Sequence, residues 1–112
     1  MIDIRIDSSR PYPVATVSGE LTGNDADALT EVLRELVVGE GAALAVDLSG
    51  LTLINSLGLS ALMELTARAR LGNGRLVLVN PSPFVAGIFS ATRLDAWFDI
   101  CADLDEAFKR LR

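Results

Sequence analysis

Apolar and polar residues alternate over residues 2–7 (IDIRID) and again over 14–20 (VATVSGE), and the turn-forming segment SSRPYP lies between them. A period of two is the strand period, so the spacing predicts two strands joined as an antiparallel hairpin. After GND at 23–25, Leu29, Val32, Leu33 and Leu36 recur at helical spacing until Gly39 closes the segment. Asn24 is placed to cap that helix, and Asp27 three positions on makes the start resemble a capping box. The run ALAVDLS (43–49) is almost continuously apolar, the pattern of a central strand covered on both faces. A helical stretch over 56–71 ends at GNG (72–74), and RLVLVN (75–80) is a second buried strand, closed by PSP. A short helix over 82–90, a last strand at AWFDI (96–100) and an amphipathic helix over 103–111, begun by Asp103 as its cap, complete the chain.

After the hairpin, strands and helices alternate. Such alternation requires right-handed crossovers, which lay the strands parallel and pack helices against them. The expectation is one α/β domain over 1–112, with a mixed, mainly parallel sheet of about five strands and about four helices.

Composition narrows the function. Half of the 112 residues are apolar and 22% are charged, enough to bury a core. Net charge is −5, from ten basic and fifteen acidic residues, which disfavours nucleic acid and anionic membrane surfaces as partners. No apolar run reaches the roughly 20 residues that a membrane span needs, and the start lacks the order of a secretion signal. A cytoplasmic protein is expected. There is no histidine and a single cysteine, Cys101, so neither a structural zinc site nor histidine catalysis nor an internal disulfide can be built. Cys101 follows the apolar WFDI, which points to a buried, inert thiol. No cofactor or metal is expected.

The stretch LINSLGLSAL (53–62) stands apart, because a strand-like run hands over to a helix at Asn55-Ser56. With 100° per residue from Ser56, Leu59, Leu62, Leu65 and Ala69 share one side with Gly58 and Thr66. Ser60, Glu64 and Arg68 fall opposite, and Leu57 falls with them. Asn and Ser are both good helix caps, one structural reason for their presence. Gly58 equally suits a close approach of helix to sheet. The second reason is chemical. A helix N-terminus tolerates an anion, so a phosphate on Ser56, worth roughly −1.5 to −2 charges, would change the surface and leave the fold standing.

The segment VDLSGLTLINSLGLSALMEL (46–65) resembles the signature of the STAS domain of anti-sigma factor antagonists. VSGELTGNDADAL (17–29), NGRLVLVNPSPFV (73–85) and TRLDAWFDICADLDEAF (92–108) are similar to further parts of that family, in order and at suitable spacing. The resemblance implies a STAS fold and a partner switch. In that switch the domain binds an anti-sigma factor that is also a serine kinase, is released when the kinase phosphorylates a serine with ATP, and is restored by a serine phosphatase. The family's serine falls on Ser56, its glycine on Gly58 and its leucine on Leu59. Two positions depart from the pattern: Asn55 stands where aspartate is usual, and Leu57 where a small residue is usual.

Three readings follow. In the first, Ser56 is the phosphorylated residue, and Thr22, Asn24, Asn55, Leu57, Gly58, Leu59, Ser60 and Glu64 form the partner surface. Thr22 and Asn24 join it because the first helix's entry loop should open at the same end of the parallel sheet as the second helix, the end that ligands favour. In the second, motivated by Asn55 and Leu57, the domain is a non-phosphorylated STAS scaffold within a larger signalling or transport assembly. The third is a small α/β enzyme using Asp47, Glu20 or Glu64. It lacks both a phosphate-cradling glycine loop and a nucleophile paired with a base.

Overall fold

The computed structural model describes residues 1–112. Its elements are strands β1 (Ile2–Asp7) and β2 (Val14–Leu21), helix α1 (Asn24–Val37), strands β3 (Ala43–Asp47) and β4 (Leu51–Ile54), helix α2 (Ser56–Leu71), strand β5 (Arg75–Val79), helix α3 (Pro83–Ala91), strand β6 (Ile100–Cys101) and helix α4 (Leu104–Leu111). The six strands form one sheet in the order β1-β2-β3-β5-β6. β1 and β2 are the antiparallel hairpin, and every other pairing is parallel. β2 pairs with β3 through residues 14–16 and with β4 through residues 19–21. The α/β class and the mixed, mainly parallel sheet are as the periodicity indicates.

Both faces of the sheet are covered, which is why β3 and β5 are apolar except for Asp47 and Arg75 at their ends. One face carries the larger core, where Leu29 and Leu33 of α1, Leu62 and Leu65 of α2, and Val85 and Phe89 of α3 meet the sheet. The other carries a smaller core in which Ala107 and Leu111 of α4 cover Ala45, Val77 and Val79. Asp103 caps α4 as expected, its Oδ1 accepting the Glu106 N–H at 2.9 Å. Arg110 clamps the same helix to Asp99 and pairs along the helix with Glu106. Cys101 is buried, its thiol donates to the Asp103 carbonyl at 3.4 Å, and desolvation pushes its pKa up, so little reactive thiolate forms.

Four boundaries differ from the sequence reading, each for a local reason. The sheet has six strands, because Leu51–Ile54 is a short strand of its own. The run 43–49 breaks at Asp47, whose Oδ1 accepts the Ser49 N–H, and Leu51 N–H closes a turn on the Leu48 carbonyl. The segment 96–100 is no strand: Trp97 and Phe98 donate back to the Leu94 carbonyl, and only Ile100 and Cys101 pair with β5. Its aromatic residues are there for packing, with the Phe98 ring tilted against Phe89 at a centroid distance of 5.1 Å. Asn24 does not cap α1. The cap position is Gly23, at φ 54°, and no side chain bonds there; the carbonyls of Thr22 and Gly23 instead accept the Asp25 and Ala26 N–H groups.

Candidate functional site

Leu21 at the end of β2 and Ile54 at the end of β4 lie side by side in parallel register, so the loops into α1 and α2 leave the sheet together. That places Thr22 and Asn24 at the same end as Asn55 and Ser56. The Asn55 N–H donates to the Leu21 carbonyl at 3.3 Å, pinning the loop into α2 to the end of β2.

Helix α2 starts at Ser56, and Asn55 is its cap: extended backbone, with Oδ1 accepting the Gly58 N–H at 3.1 Å. The chain uses Asn55 for the structural task and leaves Ser56 free of it. Ser56 is exposed, and its hydroxyl has no bond within the chain. The Ser56 and Leu57 N–H groups also lack acceptors, so the positive end of α2 is open beside the hydroxyl. Replacing Asn55 by alanine is expected to lower stability by about 1 kcal/mol through loss of the cap. Asn55→Asp is expected to keep it, and urea unfolding of both variants checks the pair.

Leu57 is 55% exposed, a large apolar side chain in the first turn. It lines a cleft of about 220 Å³ with Ser60, Ala61 and Glu64 of α2 and Ala26, Asp27 and Thr30 of α1. Leu57, Ser60 and Glu64 are thus brought together as expected. Thr22 and Asn24 stand at the same end without lining the cleft. Gly58 and Leu59 point elsewhere: Gly58 is buried against Leu21 and Ile54, and Leu59 packs on the larger core. Asp27 and Thr30 were missed as surface partners of α2. The i, i+4, i+7, i+11 stripe Ala26, Thr30, Leu33, Val37 marks a buried flank of α1 without saying which helix meets it, and Asp27 lies outside that stripe.

The acids of the enzyme reading do not assemble with Ser56. Asp47 is engaged by its own turn, and Glu64 pairs with Arg68 at 3.5 Å. No base is bonded to the Ser56 hydroxyl within the chain.

A family model described as the Mlab STAS domain matches residues 4–103. The chain belongs to the STAS-domain family. An anti-sigma factor antagonist from Mycobacterium paratuberculosis is 27% identical, with a TM-score of 0.86 over 100% of this chain and 95% of that one. The Bacillus cell fate determinant SpoIIAA in its phosphorylated form shares the fold at 20% identity, with a TM-score of 0.70 over 98% of this chain and 100% of that one. So does the murine anion transporter Slc26a9, at 16% identity and a TM-score of 0.76, over 89% of this chain but 17% of the transporter. No curated protein matches this chain. No helix of this STAS domain is long and apolar enough to cross a membrane.

Proposed function

We propose that residues 1–112 form one STAS domain that works as an anti-sigma factor antagonist in the cytoplasm, switched off by phosphorylation of Ser56. The observation that carries this reading is the division of labour at the mouth of α2. Asn55 caps the helix, while Ser56 presents an unbonded hydroxyl beside the exposed Leu57. The partner is an anti-sigma factor with serine kinase activity, which docks over Leu57, Ser60 and Glu64, with Thr22 and Asn24 at the margin. The kinase moves the γ-phosphoryl group of ATP to the Ser56 oxygen, with ADP leaving and the hydroxyl proton released, and a serine phosphatase returns the hydroxyl by hydrolysis to inorganic phosphate. The domain supplies an acceptor and a surface and no catalysis. Likeness to the mycobacterial antagonist over 95% of its length supports the role.

The test is intact mass with site mapping on protein recovered from its own cells, with phosphatases blocked, across growth and stress conditions. Phosphate on Ser56 in a condition-dependent fraction is the expected result. A uniformly unmodified chain would favour the second reading, a STAS scaffold in a larger transport or signalling assembly. Two observations support that reading: Asn55 at the aspartate position, and the shared fold with a domain-sized part of an anion transporter.

A further inference from the structure

The first strand carries a pattern that the proposed switch does not use. β1 is an edge of the sheet, paired only with β2, and its sequence is IDIRID. Unpaired strand edges invite a further strand unless charge or shape prevents it. We propose that β1 pairs antiparallel with β1 of a second copy, centred on Ile4, so that two six-stranded sheets become one.

Backbone parity is the first argument. Residue 1 stands opposite Glu20 in the hairpin register, and the Glu20 N–H donates to the Met1 carbonyl at 3.0 Å. Bonded and unbonded pairs alternate along an antiparallel ladder, so Asp3, Arg5 and Asp7 turn their peptide groups toward β2. Ile2, Ile4 and Ile6 turn theirs outward. A second β1 can bond to these groups only if isoleucines face isoleucines. Three registers do so at more than one position. Centring on Asp3 sets Asp3 against its own copy, and centring on Arg5 sets arginine against arginine and Asp3 against Asp7. Centring on Ile4 alone sets Asp3 opposite Arg5 twice, in the unbonded pairs where side chains come closest.

Packing is the second argument. The isoleucine row lies on the face of the larger core, where Ile2 and Ile4 pack, but Ile6 is 40% exposed. α1 lies over β2 and β3 on that face, and Asp27 marks its flank toward α2. At 100° per residue, Val32 falls on the other flank, toward β1, and it is 47% exposed. A two-fold axis through Ile4, perpendicular to the sheet, puts both α1 helices on the same face. Ile6 of each copy then comes opposite Ile2 of the other, beneath the flanks that carry Val32. The surface is self-complementary, as a two-fold interface requires. In the single chain Arg5 bonds Asp3 of its own strand at 3.0 Å, an exposed pair free to exchange for the one across the axis.

Sedimentation of the full chain from micromolar to millimolar concentration tests this, with circular dichroism confirming that each variant is folded. The wild type is expected to pass from monomer to dimer. Arg5→Asp sets Asp against Asp at two symmetric places and should weaken dimerisation by at least about tenfold. The double variant Asp3→Arg, Arg5→Asp restores opposite charges in the same register and should regain the dimer. Hydrogen exchange should show the amides of Ile2, Ile4 and Ile6 gaining protection with concentration, while those of Asp3 and Arg5 change little. A wild type that stays monomeric, an Arg5→Asp variant that dimerises normally, or a folded double variant that does not recover would overturn the proposal.

Discussion

Gly58→Ala is expected to destabilise this domain by about 1–3 kcal/mol, although alanine is the better helix former by about 1 kcal/mol. The reason is the closeness of α2 to the sheet. A Cβ on Gly58 would sit 2.6 Å from the Leu21 carbonyl oxygen, 2.8 Å from Ile54 Cγ1 and 2.9 Å from Leu21 Cγ. The carbonyl cannot swing aside without cost, because it accepts the Asn55 N–H that anchors the helix cap. Moving α2 outward would loosen that bond and the Asn55–Gly58 bond together. At roughly 4 °C or more per kcal/mol for a chain of this size, the loss shows as a clear fall in melting temperature by calorimetry. A variant as stable as the parent would mean that α2 can slide on the sheet, and the fixed geometry assigned to Ser56 would then fail.

The same contact explains what the sequence could and could not disclose. Gly58 was readable as a close approach because a lone glycine in a helical pattern costs stability unless something needs its missing side chain. The span of α2 followed from periodicity and its glycine stop, the cap on α4 from the residue type of Asp103, and the double burial of β3 and β5 from nearly unbroken apolar runs, since packing there agrees with local pattern. β4 was legible only as the strand-like run before Asn55; it was not counted as a sixth strand, because it is four residues long and pairs with β2 only where β3 has left it. No local signal names a partner that is chosen by the bend of a neighbour. The aromatic segment 96–98 misled for the opposite reason: strand-like residue types are held in turns by Phe98 packing on Phe89. At the site, the exposed row on α2 was legible from the wheel. The α1 wall of the cleft was not, because it depends on which flank of α1 meets α2. The start of α1 was misjudged because Gly23, with its positive φ, turns the chain one residue before Asn24.

Ser56→Asp is expected to separate folding from binding, and that separation is what the proposed switch requires. A carboxylate in the first turn of α2 meets unbonded N–H groups and the positive helix end, which favours it by about 0.3–1 kcal/mol at low ionic strength. Urea unfolding should therefore give a variant at least as stable as the parent. Binding to the anti-sigma factor should fall by about 2 kcal/mol or more, roughly thirtyfold, as for loss of a central contact. The added charge sits beside Leu57, where a docked partner would have to desolvate it with no basic residue among those lining the cleft. Ser56→Ala removes the acceptor and adds no charge, so it should bind within a few-fold of the parent and resist modification. Titration calorimetry of the three proteins against one partner reads all of this. Equal affinity for all three would leave Ser56 with no part in recognition and shift the weight to the scaffold reading. Loss of binding together with loss of stability would point to an altered helix mouth, because a switch at this position has to act on the surface alone.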